Sequence, residues 1–250
     1  MKKPIVLFED LGRVPYGAAW EYQEVLLQQN LQIKAAMRND TDGSSVGQAG
    51  TTDHLLFVEH PPVYTIGKSG KMEHVLLSEA ERAQKGIEFY QTNRGGDITF
   101  HGPGQLVGYP ILDLEHFYTD IGRYLRALEE VIIRTLAHFG VHAGRSAGET
   151  GVWIDASLPG KARKICAMGV RCSRWITMHG FALNVNTDLA YFDHIVPCGI
   201  RNKGVTSLQK ELGRAMEMKV VAGVLQRAFA NVFDVEIQLS GTSPFKYAVH

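Results

Sequence analysis

The sequence predicts an α+β fold with a mixed or antiparallel sheet, and two observations carry that expectation. Short apolar runs of strand character crowd the middle of the chain, and segments of helical periodicity stand between them at intervals. Helices do not follow every strand, which disfavours a doubly wound parallel sheet. At 250 residues, with 45% hydrophobic and 21% charged side chains, the chain fits one domain, 1–250, without repeat or linker.

Ile5-Val6-Leu7-Phe8 predicts a first strand that stops at Glu9-Asp10. Tyr16 to about Lys34 reads as an amphipathic helix in which Tyr22, Val25, Leu26 and Gln29 share a face. Residues 38–53 are rich in Asp, Asn, Thr, Ser and Gly, the composition of a solvated loop or insertion. Leu55 to Val58 is a buried strand stopped by Pro61-Pro62, and Val63 to Ile66 is another. A short helix near 78–85 precedes a strand at Glu88 to Gln91, and Leu106 to Leu114 forms the next strand. Ile121, Tyr124, Leu125, Leu128, Ile132, Leu136 and Phe139 recur at helical spacing and predict a long helix. Strands follow at 151–155, 164–172 and 176–185, the last two joined through Ser173-Arg174-Trp175 as a hairpin. A final helix near 219–233 carries Val220, Val224, Leu225, Phe229 and Val232.

Several function classes are disfavoured at once. The 26 basic and 26 acidic side chains cancel, which argues against nucleic acid as the main ligand. No apolar run approaches the roughly 20 residues of a membrane span. The apolar stretch after Lys2-Lys3 is too short for a secretory signal. Three cysteines, Cys166, Cys172 and Cys198, make an odd count without framework spacing, so reduced thiols in a cytoplasmic protein are expected. The sequence contains no P-loop, no H-E-x-x-H and no paired C-x-x-C, so neither a nucleotide cradle nor a zinc site has support.

Two places carry candidate chemistry. Arg94 to Gln105 packs four glycines, a proline, an arginine and a histidine between two strands. Glycine lets a backbone approach a ligand and present N–H groups, although such turns serve structure as readily. Cys198 stands between Pro197 and Gly199, a way to present a nucleophile, whereas Cys166 and Cys172 read as small core residues. A thiol needs a cation or base to become a thiolate at neutral pH, and His194, His101, His179 and Lys164 are the candidates. Lys164 opens the strand Lys164 to Arg171. With unbroken alternation it shares a face with Cys166, Met168 and Val170. A lysine on a mostly apolar face needs a partner or a task, or snorkels at the strand end.

Further segments extend the pattern. They are Arg94-Gly95-Gly96-(x)2-Thr99-x-His101-Gly102-Pro103-Gly104-Gln105-Leu106-Val107-x-Tyr109-Pro110-Ile111, Gly151-Val152-Trp153, and Lys164-Ile165-(x)3-Gly169-Val170-Arg171. His179-Gly180-Phe181-Ala182-Leu183-Asn184-Val185, Phe192-(x)3-Val196-Pro197-Cys198-Gly199-Ile200 and Gly204-Val205-Thr206-Ser207-Leu208 complete it. In order and spacing these segments resemble the lipoyl(octanoyl) transferase family, octanoyl-[acyl-carrier-protein]:protein N-octanoyltransferase, over about residues 55–210.

The resemblance implies the fold of biotin and lipoate protein ligases, a mixed β-sheet flanked by helices. It implies a catalytic dyad of Cys198 and Lys164, no cofactor, and no metal. It also implies substrate-binding segments at Arg94, Gly95, Gly96, Asp97, Ile98, Thr99, Phe100 and His101, at Ala167, Met168 and Gly169, and at Gly180, Phe181 and Ala182. The implied donor is octanoyl-acyl carrier protein. The implied acceptors are lysines in lipoyl domains of 2-oxoacid dehydrogenases and the glycine cleavage H protein, the first step of lipoylation from endogenous octanoate.

Val107, Met168 and Phe181 are expected to line an acyl tunnel. Backbone N–H groups at Cys198, Gly169 or Gly180-Phe181-Ala182 are expected at the oxyanion. An acidic carrier protein calls for a basic mouth, with Arg145, Lys161, Arg163, Arg171, Arg174, Arg201 and Lys203 as candidates. The sequence departs from the family at the polar stretch 38–53 and at Cys166. Rival readings are an ATP-dependent lipoate- or biotin-type ligase, a cysteine acyl-thioester hydrolase using His101 or His194, and a non-enzymatic scaffold.

Overall fold

The computed structural model describes residues 2–39, 50–196, 203–241 and 244–245. The elements are β1 (Ile5–Arg13), α1 (Tyr16–Asn39), β2 (Asp53–Glu59), β3 (Val63–Ile66), α2 (Glu79–Gln84), β4 (Glu88–Gln91), β5 (Ile98–His101) and β6 (Gln105–Ile111). They continue as α3 (Ile121–His138), β7 (Gly144–Ser146), β8 (Glu149–Ile154), β9 (Arg163–Ser173), β10 (Ile176–Asn184), β11 (Gly204–Val205), α4 (Leu208–Leu212), α5 (Met218–Phe233) and β12 (Glu236–Leu239).

Nine strands form one sheet in the order β12-β1-β2-β6-β10-β9-β8-β7, with β11 paired to β9, and β4-β3-β5 form a second. β1 runs parallel to β2 and β12, while β2, β6, β10, β9 and β8 alternate antiparallel. The expected mixed sheet is therefore the observed one. Successive β2 residues feed two cores: Leu55 and Phe57 pack with α3 and α5, and Leu56 and Val58 pack under α1. A strand covered on both faces reads as a continuous apolar run, and this one does.

Three sequence expectations change. β1 continues to Arg13 because the buried Glu9 carboxylate accepts from the Tyr22 hydroxyl at 2.9 Å, so the charge does not end the strand. The buried stripe of α1 is Tyr16, Ala19, Gln23, Leu26, Leu27, Asn30 and Lys34, whereas Val25 is 50% exposed and Gln29 faces water. Asn30 of that stripe pairs with the backbone of Thr52, Lys34 reaches Asp113 Oδ1 at 2.6 Å, and Gln23 Oε1 accepts the His179 N–H at 2.9 Å. In α5, Val221 and Phe233 are buried and Val220 is exposed. Of the expected polar insertion, 38–39 end α1 and 53 begins β2; residues 40–49 lie outside the described residues.

The hairpin between β9 and β10 turns on Arg174 and Trp175, both at positive φ (49° and 69°), the geometry that matches strand twist. That turn fixes the register that brings Gly169 opposite Gly180 and Met168 opposite Phe181. No helix among the described residues is long and apolar enough to cross a membrane.

Candidate active site

A cleft of about 530 Å³ opens where the glycine-rich segment lies over β9 and β10, a volume suited to a small organic ligand. Arg94, Gly95, Gly96, Asp97, Ile98, Thr99, His101, Lys164, Ala167, Met168, Gly169, Gly180, Phe181 and Ala182 all line it, as does Val107. Phe100 does not. Its ring is buried with Tyr64 and Ile98 in a separate cluster, stacked on Tyr191 at 4.4 Å, on the face of β5 opposite Thr99 and His101.

The glycine-rich segment can lie this close because β9 carries glycine beneath it, and glycine in β10 serves instead the close approach to β6. A Cβ on Gly169 would sit 2.6 Å from the Gly95 carbonyl oxygen, and one on Gly180 would sit 2.2 Å from the Gly108 carbonyl oxygen. Gly95 N–H donates to Val170 O at 2.9 Å, tying the loop to β9. Arg94 is buried and donates to Gly95 O (3.0 Å), Thr65 O (2.7 Å) and Thr65 Oγ1 (3.0 Å).

Beside this guanidinium lies a wall of buried, neutral histidines. His101 Nδ1 donates to Gln105 Oε1 (2.8 Å), and Gln105 Nε2 donates to Phe100 O and to Asn184 Oδ1, which fixes the orientation of the amide. Burial holds His101 well below its ordinary pKa, and the His60 and Arg94 charges add to the effect. Burial likewise lowers His60 to about 4 and His179 to about 3, with Arg94 reinforcing the latter. His101 is thus a poor general base at neutral pH, and His194 is absent from the cleft lining. Both points weigh against the hydrolase reading.

The alternation expected for Lys164 is broken. Pairing of β8 with β9 passes from Val152 opposite Cys166 to Trp153 opposite Lys164, so Ile165 is an extra residue, a β-bulge. Ile165 and Cys166 both enter the core against α3 and α5, while Lys164 lies on the face of Trp153, its Nζ 4.6 Å from the ring centroid. Lys203 Nζ lies 4.8 Å from the same ring and 2.5 Å from Glu149 Oε2. Burial pushes the Glu149 carboxyl up, but the Lys203 bond and nearby Lys164 outweigh it and leave it below its ordinary value. Cys166 is fully buried, and burial pushes its thiol pKa up, so it is an inert core thiol.

Cys198 lies outside the described residues, as do Arg201 and the rest of 197–202. The flanks of that segment are described: Val196 N–H donates to His74 O, and Val205 in β11 pairs opposite Lys164.

Two expectations need correction. Phe181 and Ala182 stand opposite Met168 and Ala167 on one side and Gly108 and Val107 on the other. Their N–H groups belong to the sheet ladder and are not free for an oxyanion. The expected basic mouth is largely neutralised: Arg145 binds Glu129 and Glu130, Arg163 binds Asp155 and Glu211, Arg171 binds Glu24, and Lys203 binds Glu149. Among the described candidates, only Lys161 and Arg174 form no ion pair.

Residues 15–230 match the family of the lipoyl protein ligase A/B catalytic domain. An octanoyltransferase of Flavobacterium johnsoniae is 56% identical over 238 residues, 95% of this chain and 100% of that protein. The chain belongs to this family. An octanoyltransferase of Cytophaga hutchinsonii is 53% identical over 233 residues, 93% of this chain and 94% of that one. Among solved structures, an archaeal bipartite lipoate protein ligase from Thermoplasma acidophilum superposes with a TM-score of 0.67 at 17% identity, covering 99% of this chain and 90% of that one. A lipoate-protein ligase A bound with ATP gives 0.64 at 16% identity, covering 99% and 92%. At such identities the likeness is one of fold.

Membership in the lipoyl protein ligase A/B family bears out the expected family and fold. Sequence reasoning singled out the cleft segments but missed their supports: Tyr16 stacked on His101, His60 bonded to Tyr109, and Glu129 on α3. Glu129 is fully buried, accepts the Gly151 N–H at 3.0 Å and binds Arg126 and Arg145. An acidic residue within the apolar stripe of α3 was the one available signal.

Proposed function

We propose that the protein transfers octanoyl from octanoyl-acyl carrier protein to a lysine of lipoyl domains, in the cytoplasm, through a thioester on Cys198. The octanoyltransferase relatives at 53–56% identity over nearly the whole chain support the activity. The observation that carries the mechanism is Lys164, re-aimed by the bulge to the cleft beside the strand that leads out of the Cys198 segment.

Lys164 takes the Cys198 proton, and the thiolate attacks the thioester carbonyl of the donor. The tetrahedral adduct expels the carrier thiolate, which receives the proton from Lys164, and octanoyl remains as a thioester on Cys198. A lipoyl-domain lysine amine then attacks that carbonyl and yields its proton to Lys164. Cys198 leaves as thiolate and an amide remains. Exchanging one thioester for another needs no nucleotide. Apolar Val107, Met168, Val170 and Phe181 give the alkyl chain a dry seat, and Arg94 supplies a buried positive charge at the polar end. Asp97, Gly96 and the other cleft-lining residues of the three segments would hold the acyl group.

The test incubates the purified protein with octanoyl-acyl carrier protein and an apo lipoyl domain, without ATP. Octanoyl-lysine on the domain is expected. A requirement for ATP with free octanoate would replace this reading by the ligase, and octanoate release without acceptor would replace it by the hydrolase.

A further inference from the structure

The segment 67–76 is a strap between the glycine-rich wall of the cleft and residues 194–196, which lead into the Cys198 segment. On one side its backbone takes hold of the glycine-rich loop: Gly67 N–H donates to Asp97 O, Lys68 N–H to Arg94 O and Ser69 N–H to Gly96 O, at 3.0–3.2 Å. On the other side it pairs with residues 194–196. Leu76 N–H donates to His194 O at 3.0 Å, Val196 N–H donates to His74 O at 2.9 Å, and Val75 bridges Ile195. His74 belongs to both sides. Its Nδ1 lies 2.6 Å from Asp97 Oδ2, and its side chain is 17% exposed. The other oxygen of Asp97 accepts the Ile98 N–H at 2.7 Å, so the carboxylate is held within its own loop, and the imidazole meets it as a close ion-pair contact without hydrogen-bond alignment. The nearest other charge, Glu73 Oε1, stands 4.0 Å from Nε2. Asp97 and Phe192, at the two ends of this connection, both line the cleft.

We propose that His74 is a positioning residue for acyl transfer, its ring holding the Asp97 carboxylate of the glycine-rich wall and its carbonyl fixing Val196, which leads into the Cys198 segment. The role rests on the octanoyl-transfer reading, in which Cys198 follows Val196 by two positions in the sequence. Removing the ring leaves the Val196 bond and the backbone bonds of Gly67, Lys68 and Ser69 to the loop intact, and frees only the Asp97 carboxylate. The Asp97 side chain, which lines the acyl seat, then loses its contact with the strap that also holds Val196. A misplacement of about 1 Å at a reacting centre costs on the order of 100-fold in rate, so the loss falls on kcat, because the donor's remaining contacts stay in place.

The test compares His74→Ala, His74→Asn and Cys198→Ala in octanoyl transfer to an apo lipoyl domain, with thermal unfolding of each. His74→Ala is expected to lower kcat by about 10- to 100-fold with donor KM changed less than about 3-fold. His74→Asn, whose amide can still donate to Asp97, is expected to recover most of that loss. Wild-type kcat in His74→Ala would overturn the role. So would a fall in Tm with kcat per folded enzyme unchanged, or a loss that His74→Asn does not relieve, since each marks a merely structural residue. Should Cys198→Ala transfer octanoyl at the wild-type rate, the mechanism itself fails. If Cys198→Ala is inactive and His74→Ala is not impaired, only the positioning role falls.

Discussion

Acid should unfold this protein through histidines that the fold keeps neutral, and His54 on β2 gives the sharpest reading. Its side chain is 11% exposed, its Nδ1 has no hydrogen-bond partner, and the nearest carboxylate oxygen, Glu9 Oε1, is 3.9 Å away and already bound by Tyr22. Burial lowers its pKa from 6.5 to about 4. The unfolded chain therefore binds a proton below pH 6.5 that the folded chain refuses until about pH 4. Stability is full above pH 6.5 and is lost as pH falls through that window. At pH 5 the difference is about 2 kcal/mol for this one side chain. His54→Leu should match wild type at pH 7.5 to within about 1 kcal/mol and gain about 2 kcal/mol on it at pH 5, or about 4–8 °C in Tm. His60, His101 and His179 act in the same direction, while the raised pKa values of His116, bonded to Asp53, and of buried Asp53 oppose them. None of these changes in the variant, so the comparison isolates His54. Thermal unfolding of both proteins at the two pH values is the assay. An equal Tm difference at pH 7.5 and pH 5 would refute the reasoning.

Three further outcomes follow from the site. Lys164→Met should raise the pH at which Cys198 is alkylated by about one unit or more, read by peptide mass, while buried Cys166 stays unlabelled in the native protein. Gly180→Ala places a methyl 2.2 Å from Gly108 O and 2.6 Å from Pro110 Cδ, between strands that cannot part, and should lower stability by about 3 kcal/mol in denaturant unfolding. Arg163→Glu should lose about 2 kcal/mol by breaking the bonds to Glu211 and Asp155, with donor KM unchanged, because this arginine is engaged within the fold.

Much of the architecture was legible because the apolar runs of β2, β6 and β10 and the 3.6-residue period of α3 are strong local signals. The glycine-rich cleft segment was legible as a candidate from its glycines with Arg94 and His101, and as a site only through the family resemblance of the whole signature. What escaped depends on long-range partners. Glu9 does not end β1 because Tyr22, thirteen residues on, satisfies it. The stripe of α1 includes Gln23, Asn30 and Lys34, each polar alone and each buried through a distant bond. Strands β7, β11 and β12 are too short to show a period. The bulge at Ile165 leaves no mark in the sequence, yet it decides that Lys164 faces Trp153 and the cleft while Cys166 faces the core. The family resemblance implied the pair Cys198 and Lys164; it gave no hint that the surrounding arginines were already matched by Glu129, Glu130, Asp155 and Glu211.

The central claim is that octanoyl passes through Cys198. Intact mass of the enzyme mixed with octanoyl-acyl carrier protein, followed by peptide mapping and a chase with apo lipoyl domain, tests it most directly. The account predicts one octanoyl group on Cys198, discharged to the domain during the chase and absent from Cys198→Ala. Octanoyl transfer by Cys198→Ala at the wild-type rate, or an adduct on another residue that turns over, would contradict it.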